Sequence, residues 1–283
     1  MILRLLLIVF LCFGPAAATA ADVMFEGYYR VDIESKPVGY IILRYAFDPA
    51  KKNFEAVSFQ RIKFGDKVVQ ESLKATADDK FHPIAYQYTS QVGDAVKMID
   101  ATFKGDIMTL KINDGKKIRT ETYKNRKGTF LSSFLPYMML QQPLEINQAF
   151  SYNGIAEEDG GSYSGKAWLQ SKEGKSSYDL YTVVNKYHGE EFLSKMAVVK
   201  NPKDPKKNIK GEVFGTSSPA KNISTTLMAS ASTATEGQLV PNKTLITLFG
   251  AVPTGKVNMV SSAPQVADSS STPKSQRDPA QGP

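Results

Sequence analysis

From residue 25 to about residue 200, apolar side chains recur at every second position in runs separated by Gly, Asp, Asn and Pro. Successive side chains of an extended backbone point to opposite faces, so this period buries one face of a strand and fits no helix. Residues 25–33 carry Tyr29, Val31 and Ile33 on one face, and residues 38–47 carry Ile41, Leu43, Tyr45 and Phe47. Between them, Glu34-Ser35-Lys36-Pro37 with Gly39 supplies turn chemistry, and Asp48-Pro49 breaks the next connection.

The same unit predicts strands near 54–63, 68–76, 83–91, 95–103, 107–112 and 117–123. Gly65-Asp66, Asp78-Asp79, Gly93-Asp94, Gly105-Asp106 and Asp114-Gly115 mark the turns, the strongest hairpin signal being Asn113-Asp114-Gly115-Lys116. Over Thr129–Gln142 the period changes. Phe130, Phe134, Leu135, Met138 and Met139 fall at helical spacing, and Pro136 restricts them to a short or kinked helix that plugs one end of the sheet. Strands resume near 148–153, 163–171, 177–187 and 191–200, and a weaker part after Pro205 covers 212–214 and 223–228.

Many long, half-polar strands with one interposed short helix define an all-β chain. The expected architecture is a strongly curved antiparallel sheet or open β-barrel, because curling or closing removes exposed edges. A β-sandwich is the alternative.

The N-terminus has the parts of a secretory signal peptide: Arg4, an apolar run from Leu5 to Phe13, and the small-residue exit Ala18-Thr19-Ala20. Cleavage after Ala20 is expected, which gives a periplasmic or secreted protein. The apolar run falls short of the roughly 20 residues that span a bilayer. The resulting organisation is a signal peptide at 1–20, an antiparallel β-domain at 21–230 with a subdivision near 128–147, a C-terminal extension at 231–260 and a tail at 261–283. That tail, rich in Ser, Pro, Gln and Ala, has almost nothing to bury and is expected to be disordered.

The single cysteine, Cys12, leaves with the leader, which excludes disulfides, zinc–thiolate sites and cysteine nucleophiles from the exported chain. The formal charge of +7 becomes +6 once Arg4 is removed. Only seven of the 35 basic residues are arginine. A lysine-dominated excess suits a solvated surface better than bidentate phosphate recognition. Export argues against nucleic acid as a partner and leaves room for, at most, peripheral contact with a membrane.

Catalytic hardware is sparse. His82, in Lys80-Phe81-His82-Pro83, and His188, in Tyr187-His188-Gly189-Glu190, both fall in turns, and neither lies in a ligand-spaced cluster. No Gly-x-Ser-x-Gly elbow follows an expected strand, and no Ser-x-x-Lys opens an expected helix. The glycine-rich stretch Gly160–Gly165 lacks the Lys-Ser/Thr ending of a phosphate cradle and reads as a flexible connection. Glu157-Glu158-Asp159 reads as a solvated acidic loop, and Glu190-Glu191 as solvent-facing charge. No metal or cofactor is expected.

Aromatic residues carry the remaining functional signal. Tyr86, Tyr88, Phe103, Phe134, Tyr137, Met138, Trp168 and Tyr181 are the candidates to line a concave apolar pocket, although core packing is the ordinary role of such residues.

Residues 34–40 (ESKPVGY), Val68-Val69-Gln70-Glu71-Ser72, residues 78–84 (DDKFHPI) and the proline-containing Leu135-Pro136-Tyr137-Met138 together resemble an exported β-domain. That domain stands in front of bacterial transglutaminase-like proteins. Glu212-Val213-Phe214-Gly215 and Ser218-Pro219-Ala220 are similar to its closing segment, so the likeness spans roughly residues 25–230. The chain is also similar to other periplasmic β-domains of unknown function and to lipoprotein-carrier half-barrels. A transglutaminase-like enzyme needs a Cys thiolate, His and Asp; with no cysteine after the leader, the resemblance implies the accessory domain alone and no catalytic residue. The expected function is therefore a non-enzymatic module for protein interaction or envelope assembly, with an envelope protein as partner. A carrier of lipid or another apolar ligand is the alternative.

Overall fold

A computed structural model describes residues 21–142, 144–200, 211–238 and 241–255. The predicted leader and tail lie outside these residues. The first arm of the fold is β1 (Asp22–Ile33), β2 (Lys36–Asp48), β3 (Asn53–Phe64), β4 (Lys67–Asp78), β5 (Pro83–Val92), β6 (Ala95–Lys104), β7 (Ile107–Asn113) and β8 (Ile118–Lys124). The plug follows, as β9 (Phe130–Leu131), a 3-10 turn at Ser132–Phe134 and α1 (Leu135–Gln141). The second arm is β10 (Phe150–Ala156), β11 (Gly161–Gly174), β12 (Tyr178–Tyr187), β13 (Glu190–Val199), β14 (Gly211–Ser218) and β15 (Ile223–Met228). Two short helices, α2 (Ala231–Thr235) and α3 (Asn242–Phe249), come last.

All fifteen strands form one sheet in the order β8-β7-β6-β5-β4-β3-β2-β1-β15-β14-β13-β12-β11-β10-β9. Each arm is a meander of hairpins, and the antiparallel pairing of β1 with β15, Tyr28 opposite Met228 through Ile33 opposite Ile223, joins them. Among the described residues, parallel pairing is confined to the two-residue contact of β9 with β10 and an isolated bridge between Ile146 and Leu169. β8 and β9 end the sheet, which is therefore not closed by hydrogen bonds. Side chains bridge the seam instead: Lys97 Nζ donates to the Glu158 carbonyl at 2.7 Å and Ser162 Oγ to Asn125 Oδ1 at 2.9 Å. The structure is thus a curled, incomplete barrel and not a sandwich.

Period two decides what the concave side buries. In β11, Tyr163, Gly165, Ala167 and Leu169 point inward and the residues between them outward. Residues from both arms and from the plug merge into one cluster that includes Phe25, Tyr29, Tyr45, Phe54, Phe81, Tyr86, Leu110, Phe130, Phe134 and Tyr137. Phe54 stacks on Phe81 at 4.6 Å between ring centroids, and Tyr45 meets Tyr137 edge-on at 4.3 Å. Phe81 sits in the predicted β4–β5 turn at a φ of 63°, with its ring buried in this core. Burying the ring offsets the cost of that left-handed backbone.

Two reciprocal pairs fit the second arm together. Tyr152 lies opposite Gly165, and Gly154 opposite Tyr163. A Cβ on Gly154 would come within 2.5 Å of the Tyr163 ring, and one on Gly165 within 2.3 Å of Tyr152. Each tyrosine lies flat across the glycine it faces, which extends β10 through Ala156, beyond its expected end at residue 153.

The structure corrects two local expectations. Gly160–Gly165 is a packed element, not a flexible connection: Gly160 is buried against Leu110 and Tyr86, and β11 begins at Gly161. Glu157 is buried at 3% exposure, whereas Glu158 and Asp159 are exposed as expected. The C-terminal extension packs on the sheet. α2 and α3 lay Ala234, Leu245 and Phe249 over Tyr28, Tyr40, Ile42, Val57 and Phe59, so β1–β3 are buried on both faces.

Candidate functional site

The concave side is mostly filled, but a partly open cavity of about 150 Å³ remains where α1 crosses the sheet. β1 contributes Phe25 and Tyr29, β2 contributes Ile41, Leu43 and Tyr45, and α1 contributes Pro136, Tyr137 and Leu140. β14 and β15 close the far side with Glu212, Val213, Thr216 and Thr225. The alternation that puts Tyr29 inward on β1 and Ile41, Leu43 and Tyr45 inward on β2 was readable in the first hairpin. Their meeting with β14 depends on the β1–β15 ladder, which spans nearly the whole chain and leaves no local signal.

Hydrogen bonds fix the walls. The Tyr29 hydroxyl donates to the Val213 carbonyl at 2.8 Å, tying β1 to β14 beside the cavity. The Tyr45 hydroxyl donates to the Ser133 carbonyl at 2.6 Å, and Glu157 accepts from the Ser132 hydroxyl and from Ser133 N–H, the latter at 3.0 Å. These bonds hold the 3-10 turn that leads into α1, so the roof is anchored from both arms. Pro136 sits in the first turn of α1, where a missing N–H costs nothing.

The electrostatics follow from burial. Desolvation pushes the Tyr29, Tyr45 and Tyr137 hydroxyls well above their ordinary range. The Glu212 carboxylate adds to the rise at Tyr29 and Tyr137, and Glu157 to that at Tyr45. All three are neutral donors at physiological pH. Glu157 is itself raised, chiefly by desolvation, against the lowering effect of its bonds to Ser132 and Ser133. The site offers an apolar, aromatic-walled recess with one buried carboxylate at its edge, suited to binding an uncharged apolar group.

Of the eight candidates from the sequence, only Tyr137 lines this cavity. Tyr86, Tyr88 and Phe134 are buried core residues, and Met138 and Tyr181 are half-buried against the same core. Phe103 also packs on the core, 6.4 Å from Tyr86, and faces a second pocket at the seam. Trp168 lies on the opposite face: it alternates with the inward Ala167 and Leu169 and pairs with Val184, so it lines neither space. His82 and His188 occupy turns as expected. His82 Nδ1 lies 2.8 Å from the Asp78 carboxylate, and His188 has a φ of 51° and packs against Tyr163. Among the described residues, no group of three or more His, Cys, Asp or Glu is placed to hold a metal, and no helix is long and apolar enough to cross a membrane.

This architecture is that of a β-barrel-like domain. It is similar to the β-barrel-like protein of domain of unknown function DUF1849 from Brucella abortus, with a TM-score of 0.51 and 9% identity over 72% of this chain and 94% of that one. A DUF1089 family protein from Pseudomonas aeruginosa superposes more loosely, with a TM-score of 0.35 and 13% identity over 65% of this chain and 90% of the other. No family model matches the chain, and no curated protein matches it.

Proposed function

We propose that the protein is an exported, non-enzymatic binding module that engages an envelope partner by admitting one apolar anchor beneath α1. The observation that carries this reading is the size of the cavity. Its volume of about 150 Å³ is comparable to an apolar cavity known to take a benzene-sized guest of roughly six carbons. One aromatic or aliphatic side chain fills such a recess, and a buried anchor of this kind dominates the energetics of many protein interfaces. The filled concave core makes the alternative, a lipid carrier, the weaker reading, because a whole acyl chain needs several times this space.

An n-alkyl alcohol series tests the proposal, with binding followed through the NMR signals of the Ile41, Leu43, Leu140 and Val213 methyl groups. Each buried methylene adds about 0.8 kcal/mol, so affinity is expected to rise with chain length and level off near about six carbons, where the space is full. Leu43→Trp, which fills the recess, is expected to abolish the response while the fold persists. A continued rise to long chains would replace the anchor reading with the carrier.

A further inference from the structure

The recess beneath α1 is walled in part by aromatic rings, and that selects among the anchors it can admit. We propose that the anchor is a single aromatic ring, a phenylalanine or tyrosine side chain of the partner, and not an aliphatic chain; the inference rests on the anchor reading above and names its chemistry.

Phe25, Tyr29, Tyr45 and Tyr137 line the cavity. Their rings are in mutual contact. Phe25 lies 6.3 Å from Tyr29 and 6.4 Å from Tyr45 between centroids, both tilted, and Tyr45 meets Tyr137 edge-on at 4.3 Å. Through Phe134, 6.2 Å from Tyr45, the series runs on to Phe81 and Phe54. This network ends at the recess, and a ring seated there extends it. Tilted and edge-on ring pairs are stabilised beyond simple burial, because the positive edge of one ring meets the negative face of the next. A saturated group of the same size gains burial alone.

The walls are set before a guest arrives. Phe25, Gly27 and Tyr29 alternate onto the concave face of β1, and a Cβ on Gly27 would come within 2.6 Å of the Phe25 ring, so that ring lies over a position glycine leaves open. The Tyr29 and Tyr45 hydroxyls are held by the Val213 and Ser133 carbonyls. A preformed wall has little rotamer freedom left to lose, and an aromatic side chain, with two χ angles, loses less than a flexible chain does. Charge acts in the same direction. Glu212 lines the recess and is 2% exposed, and the field of a buried carboxylate favours the positive edge of a ring over an alkyl group that has no such edge. The volume of about 150 Å³ suits one benzene-sized ring.

Benzyl alcohol and cyclohexylmethanol form the test pair, titrated into the full chain and followed through the methyl signals of Ile41, Leu43, Leu140 and Val213. The saturated ring is the more apolar of the two, so burial alone ranks it first. The expected result is saturable binding of both, with benzyl alcohol about threefold to tenfold tighter. Phe25→Leu replaces one ring of the wall by an aliphatic side chain and is expected to cut that ratio by at least about twofold. The methyl signals of Ile42 and Val57, buried on the outer face, report that the variant keeps its fold; where it does not, the ratio in the parent decides. Failure of both alcohols to bind overturns the anchor reading and this inference with it. Saturable binding of both, with cyclohexylmethanol equal or tighter, overturns the aromatic inference and leaves the anchor reading standing, as does an unchanged ratio in a folded Phe25→Leu variant.

Discussion

Glu157 shows how one buried carboxylate ties the second arm to the roof of the cavity. Its two hydrogen bonds satisfy Ser132 and the Ser133 N–H, yet desolvation raises its pKa above the ordinary carboxylate range. A folded-state pKa above the unfolded value means that the fold prefers the protonated form. That preference is fully present below the ordinary carboxylate range and is lost as pH rises through the folded-state value, so the ionised group weighs against the fold at neutral pH. Glu157→Gln keeps both bonds, accepting from Ser133 N–H and donating to Ser132 Oγ, without the charge. It is expected to be at least as stable as the parent at pH 7 and to lose any advantage near pH 4. Denaturant unfolding at the two pH values measures this, and a less stable Gln variant at pH 7 would mean that the charge itself supports the plug. Glu157→Ala leaves the Ser133 N–H unmatched and is expected to cost about 1–3 kcal/mol.

At the scale of elements, the most exposed liability of an unclosed sheet is its edge, and β8 manages it with inward-facing charge. Arg119 lies opposite Ile112 and Glu121 opposite Leu110, both core residues of β7, so the two charges point to the concave side. Arg119 Nε lies 2.7 Å from the Glu121 carboxylate, which also accepts from Tyr123. A further strand added there would bury this group, and that deters edge pairing. Arg119→Val/Glu121→Val is expected to shift the protein towards larger species in sedimentation velocity, while each strand of the parent keeps its register. Strands of this kind were legible in the sequence almost to the residue: the alternation over 95–103 became β6 at Ala95–Lys104. The plug was legible from the change of period and from Pro136. What escaped were features without local periodicity, namely the two-residue β9, the five- and eight-residue helices α2 and α3, and the burial of Glu157. The candidate site was legible through Tyr137 and through the alternation of the first hairpin, but not as a site, because its walls meet through strand pairings that no short window of sequence encodes.

Across the whole molecule, the outer face of the curled sheet is apolar over β1–β3, and the chain covers that patch with its own C-terminal segment. Glu26 and Arg44 anchor that cover: Arg44 Nε lies 2.7 Å from Glu26 Oε2, and a second guanidinium nitrogen donates to the Phe249 carbonyl. Glu26 Oε1 accepts from the N–H of Thr254 and, at 2.8 Å, from that of Gly255, and Tyr28 donates to the Pro253 carbonyl at 2.9 Å. A paired, hydrogen-bonded buried charge is tolerated, whereas one stripped of its partners is costly. Truncation before Asn242 would uncover Tyr28, Tyr40, Ile42 and Phe59 and remove the burial of Leu245 and Phe249, together worth roughly 3–6 kcal/mol. At about 2–4 °C per kcal/mol for a domain of this size, the expected fall in melting temperature is on the order of 10 °C, accompanied by new binding of an apolar dye. Truncation before residue 261, which spares every one of these contacts, is expected to leave the melting temperature unchanged. Equal melting of the long and short truncations would mean that the cover contributes nothing to the fold, and that the outer face of β1–β3 is stable when bare.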